Sequence, residues 1–127
     1  MNILSLNIRG VDSYSKQSWV KELCRSKKVH FLTLQETMVA SVDEKVTRAF
    51  WGNLGYEFLC LSSNGKSGGI VSIWEALSFT MLDFIKGDGF LLIKGVWLNP
   101  ASYIGIFSVY APHQLLRKKN FGRILSR

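Results

Sequence analysis

Residues 3–36, ILSLNIRGVDSYSKQSWVKELCRSKKVHFLTLQE, decide the fold. Ile3 to Ile8 alternates apolar with small polar side chains, the period-two pattern of a strand with one face toward a core. Arg9-Gly10 ends it. From Ser15 to Ser26, the residues Trp19, Val20, Leu23 and Cys24 recur at helical spacing, and Ser13 or Ser15 is placed to cap the first turn. Val29 to Leu34 is then rich in β-formers. Strand, helix and strand in so short a span imply two parallel strands joined by a right-handed crossover.

Downstream, Asp43 to Trp51 is expected to be a second, short helix. Five strands are expected after it: Tyr56 to Leu61, Gly69 to Trp74, Phe79 to Lys86, Phe90 to Trp97 and Tyr103 to Tyr110. The breaks between them, such as Gly87-Asp88-Gly89 and Asn99-Pro100, are short enough for hairpins. Gln114 to Arg127 carries Leu115, Leu116, Phe121, Ile124 and Leu125 at imperfect helical spacing. The expected class is α/β, with a mixed sheet that is parallel at its start and antiparallel afterwards.

The 127 residues carry 16 Lys plus Arg against 9 Asp plus Glu, a net charge of +7, with 47% hydrophobic and 13% aromatic residues. Such a composition fills a core and excludes intrinsic disorder, and the length suits one domain over 1–127. No run approaches the roughly 20 apolar residues of a membrane span, and Met1 to Gly10 is not a signal peptide, so an intracellular location, nucleus or cytoplasm, without membrane partners is expected. Cys24 and Cys60 match no metal or redox spacing and are expected to be buried free thiols. The charge is concentrated at the end: Arg117, Lys118, Lys119, Arg123 and Arg127 stand in His113 to Arg127 without an acid. That run is a solvated helix face or a polyanion contact.

Strand direction then places the polar residues. Parallel strands put their carboxyl ends on one edge of a sheet, and ligands of open α/β sheets bind outside that edge. Asn7 ends the first strand and Glu36 follows the second. If the Asp43 to Trp51 helix returns the chain, Tyr56 to Leu61 runs parallel to both. Four hairpin steps later Tyr103 to Tyr110 points the same way. Asn7, Glu36, the Ser67-Gly68-Gly69 loop and Tyr110 are therefore expected on one edge. A carboxylate, a carboxamide and a phenol there suit Mg²⁺, which takes one or two carboxylates and keeps positions for water and phosphate. Taken singly, each has an ordinary explanation: Glu is mostly solvated, Ser-Gly-Gly is commonly a turn, and Asn at a strand end commonly serves the backbone.

Four motifs in order strengthen the chemical reading: Leu4-Ser5-Leu6-Asn7-Ile8-Arg9-Gly10, Leu34-Gln35-Glu36-Thr37, Ser67-Gly68-Gly69-Ile70 and Val109-Tyr110-Ala111-Pro112. Together they resemble the amino-terminal half of the endonuclease/exonuclease/phosphatase superfamily, and within it the apurinic-endonuclease-like domain of plant LINE-type retrotransposons. The resemblance implies part of a four-layered α/β sandwich, mixed sheets flanked by helices, that hydrolyses phosphate esters with Mg²⁺ or Mn²⁺. It implies Glu36 as metal-binding glutamate, Asn7 beside it holding metal and phosphate, and Tyr110 with its hydroxyl toward the phosphate. Loops at this edge would contact the nucleic-acid backbone, through Arg9 and Ser67, the Ser67-Gly68-Gly69 motif being otherwise structural; independently of the resemblance, the basic run with Arg117, Lys118 and Lys119 would hold DNA.

The superfamily's later Gly-Asp-x-Asn and Ser-Asp-His motifs do not occur in these residues. They carry the water-orienting and phosphate-holding groups. The expected function is thus the amino-terminal fragment of a Mg²⁺-dependent retrotransposon-type DNA endonuclease, truncated and inactive alone. The alternatives are a non-catalytic nucleic-acid-binding fragment or a degenerate gene product without selected function. A half sandwich also leaves an apolar sheet face and an open edge, so self-association is expected.

Overall fold

The computed structural model describes residues 1–53, 55–63 and 68–110. The expected Gln114 to Arg127 helix, with Arg117, Lys118 and Lys119, lies outside the described residues, as does Ser67. In chain order the elements are β1 (Ile3–Asn7), α1 (Tyr14–Ser26), β2 (Phe31–Gln35), α2 (Glu44–Trp51), β3 (Tyr56–Leu61), β4 (Ile70–Glu75), β5 (Phe79–Gly87), β6 (Phe90–Leu98) and β7 (Ala101–Val109). None of the helices among the described residues is long and apolar enough to cross a membrane.

Both helices begin where a side chain can satisfy an orphan amide. Ser13 accepts from the Lys16 N–H at 3.3 Å and Asp43 from the Val46 N–H at 3.0 Å. α1 buries Val20 and Cys24, whereas Trp19, expected on the same stripe, points to solvent. Cys24 and Cys60 are free, Cys24 buried and Cys60 half-buried. Burial pushes the Cys24 thiol up to about 11, so it is protonated and inert near neutral pH.

β1 and β2 pair in parallel from Ile3↔Phe31 to Asn7↔Gln35, as a crossover unit requires. β2 starts two residues later than the sequence pattern suggested. The Val29 N–H is held by the Cys24 carbonyl at 2.9 Å, closing the end of α1 instead of opening a strand. β4 then pairs antiparallel with both β2 and β3, giving the order β1-β2-β4-β3. β3 thus runs parallel to β1 and β2, but reaches them through β4.

The expected chain of four hairpins breaks at its second step. β4 and β5 belong to different sheets, since β5, β6 and β7 form a separate antiparallel sheet in that order. Glu75 to Ser78 is a tight turn between layers, closed by the Ser78 N–H on the Glu75 carbonyl at 3.0 Å. Ser78 Oγ also bonds the Glu75 carboxylate.

Alternation along the strands explains the layers. Leu32, Leu34, Val71 and Ile73 face the helices and pack with Val20, Cys24 and Phe50. Phe31, Ile70 and Trp74 face the other way and pack with Phe79, Leu91, Ile93 and Ile106 of the antiparallel sheet. Phe31 stacks on Trp74 at 5.5 Å and meets Phe79 edge-on at 5.6 Å, so three aromatic rings fill one end of the inter-sheet space. The result is helices, mixed sheet and antiparallel sheet: an α/β sandwich of three layers. On the far face of the third layer Leu82, Ile85, Tyr103 and Phe107 are exposed.

The other end of the inter-sheet space is polar. Thr33 on β2 bonds Ser108 on β7 at 2.8 Å and accepts from Ser72 on β4 at 3.2 Å, all three fully buried. Gln35 on the same face donates to Ser5 of β1 at 2.9 Å. Removing one member of such a set leaves buried hydroxyls without partners, whereas removing all members does not. Thr33→Val is therefore expected to cost about 2 kcal/mol in urea unfolding, and the triple change Thr33→Val, Ser72→Ala, Ser108→Ala less than the sum of its single changes.

Candidate phosphate and metal site

The polar end of the sandwich is where the motif residues gather. β1 ends at Asn7 and β2 at Gln35, so Asn7 and Glu36 leave adjacent strands on one edge. Asn7 is on the same face as Ile3 and Ser5, the face toward the antiparallel sheet, and is exposed. Beyond the strands the loops are stitched together: the Ile8 N–H bonds the Gln35 carbonyl at 3.1 Å and the Gly10 N–H bonds the Glu36 carbonyl at 2.8 Å.

Glu36 has φ 62°, and Arg9 and Met38 share that left-handed region at 50° and 63°. A non-glycine residue there costs conformational energy that its surroundings must offset. For Glu36 the offset is visible: its N–H bonds the Gly69 carbonyl at 2.7 Å. The same carbonyl takes the Thr37 N–H at 3.2 Å, and the Gly68 carbonyl takes the Met38 N–H at 2.9 Å.

This close approach explains the Gly pair. Gly69 has φ +92°, and a Cβ there would run into the Thr37 hydroxyl. Gly68, at φ +79°, would present a Cβ 3.5 Å from the Tyr110 ring. Gly68-Gly69 therefore sits between the Glu36 loop and Tyr110. Tyr110 follows β7, its N–H held by the Gly89 carbonyl at 2.7 Å. It belongs to the opposite sheet, not to the edge that holds Glu36. The Glu36 loop, Gly68-Gly69 and the Tyr110 ring come together, but across the sandwich, because β4 to β5 changes layers, and Asn7 ends the strand paired beside Gln35.

The charge at the site is sparse. The Glu36 side chain is 22% exposed, and its ionic partner is Arg9, 78% exposed and 4.0 Å away. Such an exposed, long pair holds a carboxylate weakly. Among the described residues no three His, Cys, Asp or Glu side chains gather. A hard divalent cation that keeps water and phosphate in its shell needs only one or two carboxylates. Glu36 supplies one carboxylate there, and Asn7 ends the adjacent strand on the same edge.

Two supports escaped the sequence. Lys16, in the first turn of α1, donates to the Ile8 carbonyl at 2.6 Å and the Arg9 carbonyl at 2.9 Å, tying the helix to the loop after Asn7. Thr37 is buried with a hydroxyl that has no hydrogen-bond partner. A lysine early in a helix carries no sequence signal of a long-range bond. Thr37 was visible only as part of its motif. A cavity of 560 Å³ lies elsewhere, lined by Lys21, Arg25, Lys28, His30, Trp51 and Glu75 around the ends of both helices.

No protein-family model and no curated protein sequence matches the chain. Solved structures do. The AP endonuclease LMAP of Leishmania major superposes with a TM-score of 0.61 at 18% identity, over 92% of this chain and 42% of its own. The APE2 catalytic domain of Xenopus laevis gives 0.61 at 17% identity, over 89% and 46%. The human Nocturnin catalytic domain, solved with a bound sulfate anion, gives 0.57 at 11% identity, over 88% and 50%. The chain thus has the α/β architecture of the endonuclease/exonuclease/phosphatase fold and spans about half, or less, of the length of these structures.

The Gly69 contact can be tested directly. Gly69→Ala is expected to destabilise by about 2 kcal/mol or more, through both its positive φ and the collision with Thr37. Adding Thr37→Ala should restore about 1 kcal/mol, the steric part, in a double-mutant cycle read by urea unfolding.

Proposed function

We propose that these residues are the amino-terminal part of a Mg²⁺- or Mn²⁺-dependent phosphodiesterase, a DNA endonuclease of the kind that opens plant LINE-type retrotransposon reading frames. The observation that carries the proposal is the double contact of Gly68-Gly69, bonded to Glu36 on one side and packed on Tyr110 on the other. It joins the backbone of Glu36 and the ring of Tyr110, from two sheets, to one loop, which supports the reading. The fold shared with the AP endonuclease LMAP, the APE2 catalytic domain and the Nocturnin catalytic domain supports the same chemistry. The wording of the four motifs supports the retroelement branch.

In this scheme Glu36 and Asn7 hold the cation, which when bound offsets charge on the phosphate oxygens. Tyr110 offers a hydroxyl to a phosphate oxygen, and Arg9, with its exposed guanidinium, meets the phosphate backbone of DNA. Ser67, Arg117, Lys118 and Lys119 are proposed as further backbone contacts. Hydrolysis in line at phosphorus also needs a positioned water and a group for the departing oxygen. Gly-Asp-x-Asn and Ser-Asp-His, which would bring them, do not occur in these 127 residues. The proposal therefore separates binding from turnover: the chain holds metal and DNA, and hydrolyses little or nothing by itself.

Calorimetric titration with Mn²⁺ and Mg²⁺, run beside supercoiled-plasmid nicking, tests both parts. The expected result is weak metal binding that falls about tenfold or more in Glu36→Gln, with nicking at background. Metal affinity unchanged by Glu36→Gln would overturn the site. Nicking that needs both metal and Glu36 would overturn the inactivity.

A further inference from the structure

α1 and α2 each join the carboxyl end of one strand to the amino end of another that runs parallel to it, so both helices end at the edge opposite Glu36. β2 spans five residues, which puts that edge roughly 17 Å from Glu36. Tyr110 stands at the Glu36 end, in the other sheet. The end of α1 is closed on itself: the Lys27 N–H bonds the Leu23 carbonyl and the Val29 N–H the Cys24 carbonyl, each at 2.9 Å. The Asn2 carboxamide takes the Lys27 and Lys28 carbonyls, each at 3.0 Å. With these oxygens engaged, the helix end turns little negative charge toward its surroundings. Between the two helix ends lies the 560 Å³ cavity, within the range of roughly 300 to 1,000 Å³ of small-molecule sites.

One wall of the cavity is basic. Lys21, Arg25 and Lys28 line it at helical spacing, the first and last about 10 Å apart along the axis. The acids beside them are already engaged. Glu22 accepts from the Arg25 guanidinium at 2.9 and 2.5 Å, and the Glu75 carboxylate accepts from the Ser78 hydroxyl. The side chains of Lys21 and Lys28 have no hydrogen-bond or ionic partner among the described residues. Two uncommitted ammonium groups on one wall attract an anion. The other wall is aromatic: Trp51, half-buried at the end of α2, with a buried indole N–H that has no acceptor. The Lys21 stem runs beside it, since a Cβ at Gly52 would stand 3.8 Å from the Lys21 Cδ.

We propose that this cavity binds a nucleoside 5′-monophosphate, free or at the end of a nucleic-acid strand, with its phosphate between Lys21 and Lys28 and its base against Trp51. Inorganic phosphate would use the lysines and leave the indole and most of the volume empty. A planar ring without charge would use the indole and leave the ammonium groups unanswered. A sugar phosphate or a lipid headgroup brings the anion but no flat ring. A nucleotide carries both groups on one small frame, and base stacking on an aromatic side chain is tolerant of base identity. The site is separate from the proposed metal and phosphate site, because neither Glu36 nor Tyr110 takes part in it.

Calorimetric titration of the 127-residue chain in EDTA, which keeps the Glu36 edge free of metal, tests the proposal with AMP, adenosine, inorganic phosphate and a 5′-phosphorylated deoxydinucleotide. AMP is expected to bind about tenfold or more tightly than adenosine or inorganic phosphate, and less tightly as salt rises. Lys21 and Lys28 are exposed and make no side-chain contacts that the fold needs, so the pair Lys21→Gln, Lys28→Gln should leave the circular dichroism unchanged. It should weaken AMP about tenfold or more and leave adenosine as it was. The tighter of AMP and the dinucleotide identifies the source, free nucleotide or strand end.

The indole N–H resonances give a second readout. That of Trp51, identified through Trp51→Phe, should move on adding AMP, while those of Trp19 and Trp74 stay in place. Glu36→Gln should bind AMP as the unmodified chain does. AMP held no more tightly than inorganic phosphate would overturn the proposal, as would an affinity indifferent to the lysine pair or a Trp51 resonance that does not move. Loss of AMP binding in Glu36→Gln would overturn it too, by placing the nucleotide at the other end of the sandwich.

Discussion

The structure around the candidate site depends on one close approach, that of the Gly68-Gly69 backbone to the loop of Glu36, Thr37 and Met38. Three successive N–H groups, of Glu36, Thr37 and Met38, donate to two carbonyls, and two of the donating residues, Glu36 and Met38, hold left-handed geometry there. No residue with a Cβ can occupy position 69 without displacing Thr37. The same pair of glycines leaves room for Tyr110. A loop that looks like an ordinary turn in the sequence is therefore the joint between two sheets.

The inter-sheet layer shows why the joint lies at that end. From Phe31, Trp74 and Phe79 it passes to Thr33, Ser72 and Ser108, then to Gln35, Asn7 and Tyr110. The apolar end supplies the burial that holds the sheets together. The hydroxyls in the middle are satisfied by one another, so polarity can be carried into the sandwich without leaving orphan groups. The site stands where that gradient reaches solvent. Lys16 then fixes the loop beyond Asn7 from the helix side.

Much of this was legible in residues 3–36. Alternation in Ile3 to Ile8 and helical spacing through Val20 and Cys24 gave the crossover unit, and parallel pairing then put Asn7 and Glu36 on one edge. Two errors have local causes. Val29 has the propensity of a strand residue, but its N–H is used to close α1, a bond that propensity cannot show. Glu75 to Ser78 has the length of a hairpin loop, yet Phe79 has more to bury against Phe31 and Trp74 than beside β4. Loop length does not distinguish a turn within a sheet from a turn between sheets. The meeting of Tyr110 with Gly68 was thus expected for the wrong topological reason, because an aligned sandwich preserves strand direction as a single sheet does.

The offset of the two sheets bears on what the site can do. β7 packs over β2, with Ser108 on Thr33, and β6 packs over β3. β1 therefore extends past the edge of the antiparallel sheet, and its inward face is half-buried at Ile3 and Ser5 and exposed at Asn7. Among the described residues, Tyr110 stands on the side of the antiparallel sheet and Asn7 is exposed on the other. A cation needs donors from one side only, with water completing its shell. In-line displacement needs groups on both sides of phosphorus, one toward the entering oxygen and one toward the departing oxygen. Among the described residues this edge gathers Glu36 and Asn7 from one sheet and Tyr110 from the other, which is what the proposed holding of a cation and phosphate calls for.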